Sequence, residues 1–129
     1  MIDPRDEESE TFPPEFWEGI EQFNQGEFYA CHDTLEAVWV EAPEGDKKFY
    51  QGILQVAVGL YHLGNQNIRG AVILLGEGSQ RLRSYPLDYA AIDLEDFLTQ
   101  VMDLLQQLQT HPDGTPVVFP EVPPQIRRL

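Results

Sequence analysis

Basic residues are scarce in this chain: 8 lysines and arginines stand against 22 aspartates and glutamates, a formal net charge of −14 over 129 residues. Nucleic-acid binding needs lysine and arginine to displace counterions. With no basic stripe in the sequence, neither nucleic acid nor an anionic membrane surface is an expected partner. Cysteine is nearly absent as well. Cys31 stands alone, which excludes an internal disulfide and points to a reducing, cytoplasmic setting. Long apolar runs are missing: the longest, residues 53–63, is interrupted by Gln55 and His62 and is too short to span a bilayer. The first residues have neither a basic n-region nor an apolar h-region, so no signal peptide is expected. No alternating apolar and polar stretch is long enough to predict a sheet. A phosphate-binding glycine loop, Gly-x-Ser-x-Gly, His-Glu-x-x-His and the paired Glu-x-x-His of di-iron bundles are all lacking.

What is present reads as an all-α chain forming a single compact bundle of about five helices. Hydrophobic residues make up 42% of the sequence, and a domain of this length buries roughly two-thirds of its unfolded surface, so folding itself needs no metal or disulfide. Residues 1–12 read as an acidic flexible tail, 13–109 as the helical bundle, and 110–129 as a Pro-rich extended tail packed on it. The Pro13-Pro14 pair introduces a first helix with Phe16, Ile20 and Phe23 on one face. The second, about 27–41, carries Phe28, Cys31, Leu35 and Val38. Asp46 is the expected N-cap of a third helix, about 47–63, whose apolar residues surround it and predict a central position. Asn67 is the expected cap of the fourth, about 68–84, where the interior glycines Gly76 and Gly78 suggest close approach of a neighbour. Asp93 caps a fifth, with its seam at Leu94, Leu98, Val101, Leu105 and Leu108. A faint echo at an offset of 41 residues pairs Asn24-Gln25 with Asn65-Gln66 and Glu36 with Glu77, the pattern of two stacked helical hairpins.

The charge is uneven. Residues 1–46 hold fourteen acids and only one base, Arg5, while the remainder is nearly balanced. Such acidity favours solubility and leaves a cation or a basic partner as the charged species that could be steered here.

One polar constellation stands out within the apolar pattern. Tyr29, His32, Glu36 and Trp39 share a face of the second helix; Gln51, Gln55, Val58 and His62 share a face of the third. Joined by a short turn, the two helices are expected to be antiparallel neighbours. Because an unpaired buried polar group costs about 1–3 kcal/mol, the two faces are expected to meet. Three arrangements would satisfy them: a closed hydrogen-bond network, a pocket for a small ligand walled by Trp39 and the tyrosines, or a metal site. In the last, His32 and Glu36 would chelate from one helix and His62 or Glu77 would complete the set. Cys31 and His32 point in different directions and do not form a nucleophile–base pair. His111, in the proline-rich tail, has no expected partner.

The run from Phe23 to Trp39 resembles the opening signature of a small all-helical group, domain-of-unknown-function family 309. The signature reads loosely as Asn-x-Gly-x-Phe followed by His-acid-x-Leu-Glu-x-x-Trp. The similarity continues through Gln51-Gly52-Ile53-Leu54-Gln55, Tyr61-His62 and Asn67-x-x-Gly70-Ala71. Cys31 and Asp33 depart from the commoner Ala-His-Glu, and Ile68 stands where proline is common. The resemblance implies a compact helical bundle with His32, Glu36, Trp39, Gln55, His62 and Asn67 as signature positions. It brings no activity and no cofactor. A helical binding or interaction module for a small ligand or protein partner is the leading expectation, with a metal-assisted or acid/base, hydrolase-like enzyme as the alternative; oligomeric state is not legible.

Overall fold

In a computed structural model describing residues 12–129, five α-helices follow one another: α1 (Pro14–Asn24), α2 (Phe28–Glu41), α3 (Glu44–Gly64), α4 (Ile68–Leu82) and α5 (Leu94–Gln109). A single 3-10 turn, Tyr89–Ala91, precedes α5. Each helix packs on the next in sequence, with α3 against α4 the most extensive pair. The described residues contain no strand, only an isolated bridge between Ile92 and Arg128. None of their helices is long and apolar enough to cross a membrane.

Local chemistry explains most of these boundaries. Pro14 starts α1, and Phe16, Ile20 and Phe23 are buried on its inner face. Asn67 caps α4 by accepting from the Gly70 N–H at 3.0 Å. Asp93 caps α5 by accepting from the Asp96 N–H at 3.1 Å. α3 buries residues all round, including Phe49, Tyr50, Ile53, Val56, Ala57 and Leu60, as a central helix must. At Gly78 an added Cβ would lie 2.7 Å from the Gly52 carbonyl oxygen, so here two backbones do touch. Gly76 differs: its Cβ would meet only Leu105, at 4.0 Å, and close approach does not account for it. The two hairpins α1–α2 and α3–α4 turn alike, each with a left-handed residue two places before the next helix, Gly26 in one and Gln66 in the other.

Asp46 does not cap α3. The helix begins earlier, at Glu44 behind Pro43, and the Asp46 N–H already bonds the Pro43 carbonyl at 2.9 Å. Its carboxylate instead accepts from the Tyr89 hydroxyl. Tyr85 beside it donates to the Gly45 carbonyl and accepts from the Phe49 N–H, so two tyrosines tie the start of α3 to the segment before α5.

Side-chain amides take over where regular structure ends. Gln66 exchanges two hydrogen bonds with the backbone of Val117, at 2.7 and 2.9 Å, and Gln100 does the same with Gln125. Phe119 packs near Phe28, and Ile126 is buried. Phe12, the last residue of the stretch read as acidic tail, is buried against Phe16, Phe49, Tyr50 and Tyr89; residues 1–11 lie outside the described residues.

Candidate functional site: a groove across α2, α3 and α4

His32, Glu36 and Trp39 of α2 line one side of a groove, and Gln51, Gln55 and Val58 of α3 line another, with Leu54 and Leu74 adding apolar surface. Its volume is about 260 Å³. The antiparallel run of α2 and α3 brings these faces together, and α4 joins them through Glu77, whose carboxylate accepts from Gln55 Nε2 at 3.1 Å.

The His32 ring is bracketed by carboxylates. Nδ1 lies 3.4 Å from Asp33 Oδ1 and Nε2 lies 3.6 Å from Glu36 Oε2, the latter an ion-pair separation too long for a good hydrogen bond. All three side chains reach solvent, at 33%, 62% and 56% exposure. The polar face of α2 therefore opens outward and is not closed in the core. His32, Asp33 and Glu36 each offer a ligand atom within 4.8 Å of the others. Asp33 is shorter than the glutamate common at this position of the family it resembles, which argues against its reaching a shared site; its carboxylate nevertheless lies beside the ring of His32.

Two residues of the groove each carry an enclosed, unpaired polar atom. Trp39 Nε1 is a donor without an acceptor, and Gln55 Oε1 is an acceptor without a donor. Only Gln22 Oε1 and Arg81 Nε share that condition among the described residues. On the outer side, the Lys47 ammonium sits 5.3 Å from the centre of the Trp39 ring and 3.9 Å from Glu44.

The expected meeting of His32 with His62 does not occur at this groove. Gln55 and His62 share a face of α3, but seven residues separate them, about 10 Å along the axis. His62 lies instead at the α3–α4 corner, where Nδ1 is 3.3 Å from Asn67 Nδ2. So four of the six candidate residues, His32, Glu36, Trp39 and Gln55, share the groove, and His62 and Asn67 form a separate corner. Glu77 joins the groove through Gln55 rather than through the histidine.

Other expectations resolve simply. Cys31 is fully buried, and burial pushes its thiol up to about 12, so it is a protonated core group and not a nucleophile. His111 does have a partner: its Nε2 lies 2.8 Å from the Thr115 hydroxyl.

Comparison with known proteins finds a family match over part of the chain. Residues 16–74 match DUF309, described as a domain of unknown function. The chain is 27% identical to the uncharacterized protein YpuF of Bacillus subtilis strain 168 over 97 residues, covering 73% of this chain and 56% of YpuF. It is 25% identical to an uncharacterized protein of Aquifex aeolicus strain VF5 over 84 residues, covering 64% of this chain and 25% of that protein. The chain thus spans about half the length of one curated relative and a quarter of the other. Every residue lining the groove, from His32 to Leu74, falls within the matched segment. Residues 16–74, from α1 into α4, are thus similar to DUF309, the family that the His-acid-x-Leu-Glu-x-x-Trp motif resembles.

Proposed function

We propose that the α2–α3–α4 groove is a recognition site for an amide group, presented by a short peptide segment of a partner protein. The observation that carries this reading is the pair of unpaired atoms on residues of one groove, Trp39 Nε1 and Gln55 Oε1. An amide supplies both complements: its carbonyl accepts from the Trp39 N–H, and its N–H donates to Gln55. Both side chains are only partly buried, and because the two atoms themselves are enclosed, binding requires each side chain to turn about its own torsions. Each unpaired atom costs about 1–3 kcal/mol while it waits, and pairing returns part of that. Leu54, Val58 and Leu74 offer apolar contact, and the volume, slightly below the roughly 300–1,000 Å³ of small-molecule pockets, suits one or two residues of a peptide.

Calorimetric titration with a panel of acetyl-amino-acid methylamides tests this. Saturable binding is expected for part of the panel, weakened by about tenfold in Trp39→Phe, which keeps an aromatic ring but loses the donor. If no member binds, or if Trp39→Phe binds as well as the parent protein, the reading fails.

Asp33 favours a second reading. With His32 and Glu36 it forms a mixed nitrogen and oxygen donor set of the kind that holds zinc while leaving positions for water. In a metal-assisted hydrolytic enzyme these three side chains would hold the ion, which would activate a water as the nucleophile. Zinc titration of the chelator-treated protein decides this: one equivalent bound, and lost in His32→Ala, supports it, while no saturable binding sinks it.

A further inference from the structure

A second hollow, about 470 Å³, opens where the start of α1 meets the end of α2. Pro13, Val38 and Pro43 give it apolar walls, Glu15 and Glu41 place exposed carboxylates on it, and Tyr50 reaches it from α3. Tyr50 is 2% exposed, its ring held by Phe12, Phe16 and Phe49. Among the described residues its hydroxyl has no hydrogen-bond partner. Tyr50 is itself among the residues that line the hollow, so what remains exposed of this side chain faces it. Burial and nearby Asp46 push its phenol up, keeping it neutral.

The end of α2 adds a third feature of the same sign. No basic residue stands in its last turn, the Ala42 N–H turns back to the Trp39 carbonyl, and Pro43 has no N–H to offer. The terminal carbonyls are left as acceptors at the negative end of the helix dipole. No base lines the hollow, and Lys47, beyond the turn, is engaged by Glu44 and the Trp39 ring. Two carboxylates, a helix C-terminus and an unpaired hydroxyl around apolar walls complement a cation with N–H donors on a short carbon stem.

We propose that this hollow binds a primary ammonium or guanidinium group carried on a short alkyl chain. The site is separate from the α2–α3–α4 groove and does not depend on the amide reading.

NMR titration of the full chain with n-butylammonium chloride tests it, with n-butanol as the neutral isostere and sodium chloride as the ionic-strength control. Saturable shifts are expected at the amides of Val38, Glu41 and Ala42, with the His32 and Gln55 resonances unmoved. The ammonium is expected to bind about tenfold or more tighter than the alcohol, and the Glu15→Gln/Glu41→Gln double variant to lose that advantage. Tyr50→Phe is expected to weaken binding several-fold at an unchanged melting temperature; should it fail to fold, the exposed glutamates still decide the matter. Acetyl-lysine methylamide identifies the source: tighter binding than n-butylammonium points to a lysine side chain of a partner, and equal binding to a free amine, either of which upholds the site. Equal affinity for alcohol and ammonium, undiminished binding in the double glutamate variant, or no saturable shift overturns it.

Discussion

Asn24 and Ile126 pair as two residues of a β-ladder would, although one partner is a side chain. The Asn24 amide donates to the Ile126 carbonyl at 2.8 Å and accepts from the Ile126 N–H at 2.7 Å. The two residues are 102 positions apart, so the last residue of α1 fixes the end of the chain over the bundle. Gln125 adds to this by donating from Nε2 to the Asn24 carbonyl.

Asn24→Ala removes both bonds and leaves a part-buried N–H and C=O at Ile126 unpaired. A loss of about 2 kcal/mol is expected, read as a lower denaturant midpoint. Hydrogen exchange at Ile126 should quicken while amides in α3 keep their protection. Unchanged exchange at Ile126 would show that this pairing does not hold the segment.

The two interior glycines of α4 are expected to respond in opposite directions. Gly78→Ala drives a methyl into the Gly52 carbonyl, and overpacking of this kind costs about 1–3 kcal/mol. Gly76→Ala meets only distant Leu105 and should gain roughly 0.5–1 kcal/mol through its better helix propensity. Urea denaturation of the two variants checks this, and equal effects would contradict the packing described.

Stability should fall at alkaline pH. Burial raises the phenols of Tyr50, Tyr85 and Tyr89 above their ordinary value, with the Asp46 carboxylate adding to each, and burial raises the Cys31 thiol from 9.0 to about 12. Groups that hold their protons more tightly when folded stabilise the fold fully below their unfolded values and progressively less as pH rises through the folded ones. The decline should begin near the thiol value of 9.0 and steepen above about pH 10, where free phenols ionise. Urea midpoints measured across that range should fall, and Tyr89→Phe should soften the fall. A flat alkaline profile would contradict these environments.

Local patterns carried the fold well. The faces of α1 and α3, the caps at Asn67 and Asp93 and the place of Gly78 follow from spacing within one or two turns, which adjacent residues determine. Asp46 was misread because its partner, Tyr89, lies 43 residues away in a segment without periodicity. The amide pairs of Asn24, Gln66 and Gln100 are similarly remote. At the groove, helical periodicity correctly grouped His32, Glu36, Trp39 and Gln55. It failed for His62 because periodicity fixes direction around an axis and not distance along it. Asp33 reads as too short to share the site, yet as the next residue along the chain its carboxylate lies 3.4 Å from the His32 ring.

The central claim is that the enclosed Trp39 N–H awaits an acceptor, and the indole N–H resonances of the two tryptophans test it most directly. Trp17, stacked 3.8 Å below the Arg128 guanidinium and away from the groove, is the internal reference. On adding a binding acetyl-amino-acid methylamide, the Trp39 indole proton should move downfield and exchange more slowly while that of Trp17 stays still. A Trp39 signal that is unmoved at saturation, or that moves only together with Trp17, would contradict the account.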